Sequence, residues 1–521
     1  MTLTSRALCA VLTLGGAMSP LAAQTRPAQA RPAQTRASVL IRDASIIDGR
    51  GTPARRGDVR MQGNRIIAVG SLTPRANETV VDAHGLTLAP GFIDTHSHHD
   101  RGLFAQRDAR AMVSQGVTTI VVGQDGGGMR LGQLFARLDS TPVAVNVASY
   151  VGHGAVRDAV MGKDFRREAT PAEIARMAAL VRADMNAGAL GLSTGLEYDP
   201  GIYSARSEVM TLARVAAQQG GRYISHIRSE DRDFWSALDE VIAIGRTTGM
   251  PVQVSHIKLG MKDLWGQADS VVRVLNAARA AGIRITADLY PYLYWQSNLG
   301  VFYPRRNFAD SAETAFILAH LTGPDDILFN RVSGHDDYRG LSLTQVAAKR
   351  QQSPLKAMMS LLAEPDGEDA GIVARGMDDA DVGTLVQWPF TNICSDGMST
   401  GLHPRGYGTF PRVMGPFVRD RKLFPLEEAV RKATSLAAAN VGLVDRGVIA
   451  PGYFADLVLF DPATITDRAT FEAPQATAVG IQQVWVNGVT VLQGGATSGR
   501  YPGTALRRAG LRRATRGAKS P

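Results

Sequence analysis

Cysteine is nearly absent, with only Cys9 and Cys394 in 521 residues. Cys9 sits in a segment with the features of an export signal: Arg6 in a short basic region, an apolar run over 7–18, then Ala22 and Ala23 before Gln24. Residues 1–23 are therefore read as a signal peptide, and the mature protein as exported, either periplasmic or secreted. Removing that segment leaves Cys394 alone, so an intramolecular disulfide is excluded and stability must come from packing. Also missing is any second apolar run near the ~20 residues that a membrane span needs, and the 7–18 run is itself too short. No fixed-period repeat is visible, which argues against a solenoid. What is present is 45% hydrophobic residues, enough for a large core and too many for a disordered chain.

Acidic residues are missing from both ends. Residues 1–37 carry four arginines and no acid, and residues 500–521 carry six arginines, one lysine and no acid. Without these eleven charges the formal +9 of the chain becomes about −2 for the body. The basic excess thus belongs to the ends, and a nucleic-acid partner is not indicated. Residues 24–37, rich in Pro, Ala, Gln and Arg, read as a linker, and 499–521 as a flexible basic tail.

From Ser38 onward, short alternating strands are punctuated by Asp48-Gly49 and Gly63-Asn64, and the same texture returns in 454–460 and 479–493. Residues 38–90 and 441–498 are expected to pair into one small β domain. The chain between them, 91–440, alternates β-rich runs with helical stretches. Eight such runs, at 91–96, 117–123, 143–150, 189–194, 222–227, 251–257, 283–290 and 391–397, predict an α/β fold of the (β/α)8 TIM-barrel class. Thr170-Pro171-Ala172-Glu173 reads as a helix start whose helix ends near Gly188. The long gap of about 293–390 reads as an insertion over the barrel mouth.

Polar residues of one kind collect at the predicted strand ends, where a parallel barrel gathers its working groups. His96 and His98 end the first strand, and alternation lets both face one centre. Asp125 follows the second strand, His226 ends the fifth, His256 the sixth and Asp396 the eighth. One such residue alone more often packs or caps, but four histidines and two carboxylates on one rim predict a divalent metal site, zinc first. Cobalt or manganese would be substitutes.

GFIDTHSHHD (91–100), STGLEYDPGIYS (193–204), SHIRSE (225–230), SHIK (255–258), SDG (395–397) and HPRGYGTFPR (403–412) together resemble the D-aminoacylase branch of the amidohydrolase superfamily, the N-acyl-D-amino-acid deacylases. The resemblance extends over about 38–493. It implies a zinc-dependent hydrolase that removes an acyl group from the nitrogen of an amino acid, with His96, His98 and Asp396 holding one metal and His226 and His256 the other. In one place the chain departs from the pattern. Where the family has Asn-Cys-Gly after the second strand, this chain reads Gln124-Asp125-Gly126, replacing a thiolate with a harder carboxylate that can bridge two ions. Glu197 is the alternative bridge.

Asp396 is the candidate general base and proton shuttle for a metal-activated water. A cation is needed for the substrate carboxylate. Lys258, two residues beyond His256, is one candidate, with Tyr290 or Tyr292 as its companion, and Arg405 is a second unless it only braces its loop. Arg228 and Glu230 are expected to orient His226 from behind, and His153 either lies near the site or makes a structural hydrogen bond. Gly126 to Gly128 offer only a weak anion-binding signal. The expected partner is a small-molecule N-acyl amino acid, and homo-oligomerisation stays open. The alternatives are a dipeptidase, cyclic amidase or lactonase on the same centre, or a non-catalytic polyanion-binding protein that uses its basic ends.

Overall fold

The computed structural model describes residues 38–509. The signal-like segment 1–23, the linker 24–37 and residues 510–521 lie outside them. Among the described residues no helix is long and apolar enough to cross a membrane.

Eight parallel strands form the barrel. Phe92–Asp94, Val117–Val122 and Asn146–Ser149 pair in order, and the third strand continues as Val151–Gly152. Next come Gly191–Gly195, Arg222–His226, Val252–Val254, Ile285–Leu289 and Thr391–Ile393. A parallel bridge between Ser97 and Gly397 joins the first strand's end to the eighth's, closing the ring. Helices cover the outside, so most of these strands are buried on both faces and read as apolar runs. The helix Pro171–Ala187 starts as its sequence predicts, with Thr170 and Glu173 in a reciprocal cap, and stops at Gly188, whose φ of +120° suits glycine.

The two flanks share one nine-stranded sheet. Thr87–Pro90 pairs antiparallel with Leu457–Phe460, joining N-terminal to C-terminal strands, and Ile41, Ile46, Val59, Leu457 and Trp485 fill the core beneath. The expected flexible tail is ordered in its first part. Gly503 donates to the Val143 carbonyl, Leu506 to that of Val147, and Arg508 to those of Ala189 and Met185 near the end of a barrel helix. A composition rich in arginine hid this, because these arginines cap backbone carbonyls rather than face water.

The insertion is narrower than the 293–390 read from sequence. Tyr294–Asn298, Gly371–Arg375 and Ile327–Arg331 form an antiparallel sheet with a separate core that includes Leu299, Phe302, Tyr303, Ile317 and Phe329. The following helix, Asp379–Gln387, belongs to the barrel, since it packs on the helix Ala268–Ala280 and on the eighth strand. Arg306 ties the insertion down over the barrel mouth through Asp199 at 2.9 Å and the Glu197 carbonyl at 3.0 Å.

Candidate active site

The strand ends bring together the residues that sequence marked. His96 and His98 both turn inward: His96 Nε2 lies 3.3 Å from Asp125 and 3.6 Å from Asp396, and His98 Nε2 lies 3.1 Å and 3.3 Å from the same two carboxylates. His99 points away, to Ser399. The first and eighth strand ends are knitted by Asp396 N–H to the His96 carbonyl at 2.8 Å and His98 N–H to the Gly397 carbonyl at 3.0 Å. His256 Nε2 is 3.5 Å from Asp125 and 3.1 Å from His226 Nδ1. Asp125 is thus the carboxylate that both groups of histidines reach.

The backbone is set for this. Asp125, His256 and Asp396 have φ of 51°, 32° and 48°, a region that non-glycine residues rarely occupy and that costs about 1–3 kcal/mol each. Gly195 permits the approach of Asp125, since a Cβ there would lie 2.2 Å from the Asp125 carbonyl oxygen. Beneath the site Asp288 accepts from His256 N–H at 2.5 Å and from Gln253 at 2.5 Å, holding the strained turn.

The buried charges stabilise one another. Burial opposes ionisation of Asp125 and Asp396, but the histidines around Asp125, and Arg405 with the histidines around Asp396, hold both carboxyls well below the usual range. His98 is likewise opposed by burial and raised by Asp125 and Asp396 to about 9. Several groups nevertheless lack a hydrogen-bond partner among the described residues: both ring nitrogens of His96 and Oδ1 of Asp125 are buried without one. Leaving such atoms unpaired costs about 1–3 kcal/mol each unless something accepts their electron pairs. That is the donor set of a cation site, and His96, Asp125, His256 and Asp396 place ligand atoms within 4.8 Å of one another.

A second grouping, His226, Glu230 and His256, also has ligand spacing. It already holds a cation, because Lys258 Nζ lies 2.6 Å from both Glu230 oxygens and 2.8 Å from His256 Nδ1. Glu230 therefore braces His256 and Lys258 and is only 3.9 Å from His226, where the sequence expectation had it orient His226. Glu197, the alternative bridge, instead meets the outer nitrogen of His226, Nε2, at 2.8 Å. The inner nitrogens of the two histidines meet each other at 3.1 Å, that of His256 also lying 3.5 Å from Asp125, while an outer carboxylate fixes each ring.

Two further residues, Arg228 and Tyr292, sit differently from expectation, and His153 takes one of its two expected readings. Arg228 does not touch His226; the chain turns once the strand ends, and its guanidinium pairs with Glu240 and the Ser204 carbonyl. His153 is buried on Glu208 beside Arg157, a structural hydrogen bond at 2.7 Å. Tyr292 bonds Asp467 under Arg412 rather than lining the site. Tyr290 does line it, with a buried hydroxyl that has no partner among the described residues, Arg405 4.6 Å over its ring and Lys258 nearby. Arg405, first residue of the helix Arg405–Arg412, pairs with Asp396 at 2.7 Å.

Two cavities flank the carboxylates. One, about 60 Å³, lies among Lys258, Tyr290, Arg405, Val301, Phe302 and Leu321. The other, about 740 Å³, opens past Asp125, Asp396 and Arg405 between the glycines 126–128 and the insertion. Sequence reasoning missed the insertion's contribution, including Trp295, Val301, Phe302 and Leu321, and Tyr198, whose ring lies 4.4 Å from that of His226. Tyr198 adjoins the Glu197 already noticed; the insertion residues carry no motif that could have marked them.

Known proteins resemble this chain in sequence and fold. The amidohydrolase family pattern matches residues 79–296 and 369–492. D-aminoacylase of Alcaligenes xylosoxydans xylosoxydans is 38% identical over 90% of this chain and 97% of its own length. The N-acyl-D-aspartate deacylase of the same organism is 36% identical over 90% and 95%. The crystal structure of N-acyl-D-glutamate deacylase from Bordetella bronchiseptica, complexed with zinc and a phosphonate that mimics the tetrahedral intermediate, superposes with a TM-score of 0.82 at 35% identity, covering 91% of this chain and all of that one. The barrel, the strand-end cluster and this similarity along nearly the whole described chain place the protein in the amidohydrolase family, in its D-aminoacylase branch.

Proposed function

We propose that this chain is a zinc-dependent hydrolase that cleaves N-acyl-D-amino acids with apolar side chains into a carboxylate and a free D-amino acid. The observation that carries it is the set of unpartnered buried ligand atoms on His96 and Asp125, lying beside a cavity lined by two cations. His96, His98 and Asp396 would hold one ion and the inner nitrogens of His226 and His256 the other, with Asp125 shared between them. Zinc bound there supplies Lewis acidity toward a water and toward the scissile carbonyl.

The chain's own residues do the rest. Asp396, kept ionised by Arg405, takes a proton from the attacking water and returns it to the departing nitrogen. Lys258, Arg405 and the free Tyr290 hydroxyl face the small cavity and receive the amino-acid carboxylate. Lys258 is fixed by Glu230 and Arg405 by Asp396, so both cations are in place before substrate arrives.

Val301, Phe302 and Leu321 line the remaining space together with Gln296, Ser297 and Asp231. Lys258 and Arg405 are the cations lining this cavity, and both are committed. A second carboxylate on the substrate would thus meet apolar side chains and an acid with no uncommitted lysine or arginine to pair it, which favours a D-leucine-like side chain over D-aspartate or D-glutamate. The signal-like residues 1–23 support export to the periplasm or beyond.

The test is amino-acid release by the zinc-loaded enzyme from the N-acetyl derivatives of D- and L-leucine, D-aspartate and D-glutamate. Release from the D-leucine substrate should exceed the others by at least tenfold. Release from the L-form alone would overturn the reading.

A further inference from the structure

The larger cavity shares Asp396 and Arg405 with the smaller one but is not lined by Lys258, so it is where the acyl group must go if the amino-acid carboxylate sits at Lys258 in the smaller one. Its walls are polar: Asn298, Asn330, Arg331 and Asp369 from the insertion and Arg101 and Asp158 from the barrel, over a floor of bare glycine backbone at 126–128. Asn330 Nδ2 is buried and has no hydrogen-bond partner among the described residues.

One wall is a strand edge. Among the described residues, Tyr294–Asn298 pairs on one side only, with Gly371–Arg375. The flanking residues Leu293 and Leu299 bond toward that partner, through Gly376 N–H to the Leu293 carbonyl and Leu299 N–H to the Ala370 carbonyl. The Tyr294 carbonyl bonds the other way, to His403. By strand alternation Gln296 and Asn298, both lining the cavity, turn their main-chain N–H and C=O groups outward.

Resting on the deacylase reading above, we propose that the acyl group is a peptide, so that the enzyme removes a C-terminal D-amino acid from a peptide by cleaving its last amide bond. An extended peptide supplies alternating N–H and C=O groups that match the open edge at Gln296 and Asn298, and a carbonyl for Asn330 Nδ2. An aliphatic chain would leave all of these unpaired in a confined space. The stoichiometry needs only water: its oxygen bonds to the carbonyl carbon, the C–N bond breaks, and one proton passes by way of Asp396 to the leaving nitrogen. The products are the shortened peptide and the free D-amino acid.

The zinc-loaded full chain is assayed for D-leucine release from N-acetyl-D-leucine, N-acetyl-Ala-Ala-D-leucine with L-alanines, and N-lauroyl-D-leucine. The peptide should raise kcat/KM about tenfold or more over acetyl, as remote contacts are turned toward the transition state, and lauroyl should not. N-methylating each alanine amide in turn should abolish the gain at one position, whatever the register. A peptide no better than acetyl, or lauroyl the best, would overturn the proposal while N-acetyl-D-leucine hydrolysis left the deacylase reading intact. No D-leucine from any of the three would remove both.

Discussion

The two cavities beside the carboxylate pair share Tyr198, Gln296, Ser297, Asp396 and Arg405 but differ in size and in the rest of their lining, and that difference assigns the two halves of the substrate. The smaller, about 60 Å³, has Val301, Phe302 and Leu321 beside Gln296 and Ser297 from the insertion, and two cations already locked to acids. The larger, about 740 Å³, is polar and lined by unpaired strand edge and glycine backbone. A site that must recognise one small, invariant feature, the carboxylate beside the scissile bond, is best built tight and preorganised. A site that must accept a varied group is best built from backbone, which offers hydrogen bonds without reading a side chain.

The comparison can be broken at its centre first. Asp396→Asn should leave the fold in place and lower kcat by about 10³-fold or more for every acyl and amino-acid combination, even with excess zinc supplied to offset the weakened ligand. Near-normal turnover would remove Asp396 from proton transfer. On the tight side, Lys258→Met should lower kcat/KM by about 10²-fold through KM, with the loss uniform across acyl groups. A loss that varied with the acyl group would place the carboxylate elsewhere.

The shared position of Asp125 predicts that Asp125→Ala binds about one zinc ion fewer per chain, read by elemental analysis rather than by activity. Unchanged metal content would show that Asp125 does not bridge. A smaller change is expected from Val301→Lys, which brings a cation to the apolar wall and should shift preference from N-acetyl-D-leucine toward N-acetyl-D-glutamate by about tenfold. The smallest belongs to the open side: Asn330→Leu should reduce the preference for peptide over acetyl several-fold, roughly one hydrogen bond's worth, with N-acetyl-D-leucine unaffected.

The tight side was largely legible in the sequence and the open side was not. His96, His98, Asp125, His226, His256 and Asp396 all fall at the ends of β-rich runs, and a parallel barrel converts that position into convergence. Lys258 follows from alternation beyond His256. Alternation fails once a strand ends, which is why Arg228 and Tyr292 turned to other partners, Glu240 and Asp467. The insertion escaped for a different reason. Its residues reach the site from up to about 100 positions away through a separate core, and neither periodicity nor motif encodes where such a subdomain docks. The ordering of 503–508 was hidden because composition reports charge and not backbone pairing.

The assignment of the two halves is tested most directly by one kinetic matrix: wild type, V301K and N330L, each assayed for amino-acid release from N-acetyl-D-leucine, N-acetyl-D-glutamate and N-acetyl-Ala-Ala-D-leucine under zinc saturation. The account predicts that V301K changes only the leucine-to-glutamate ratio and N330L only the peptide-to-acetyl ratio. The opposite pattern, with V301K altering acyl preference and N330L altering amino-acid preference, would mean that the substrate lies the other way round.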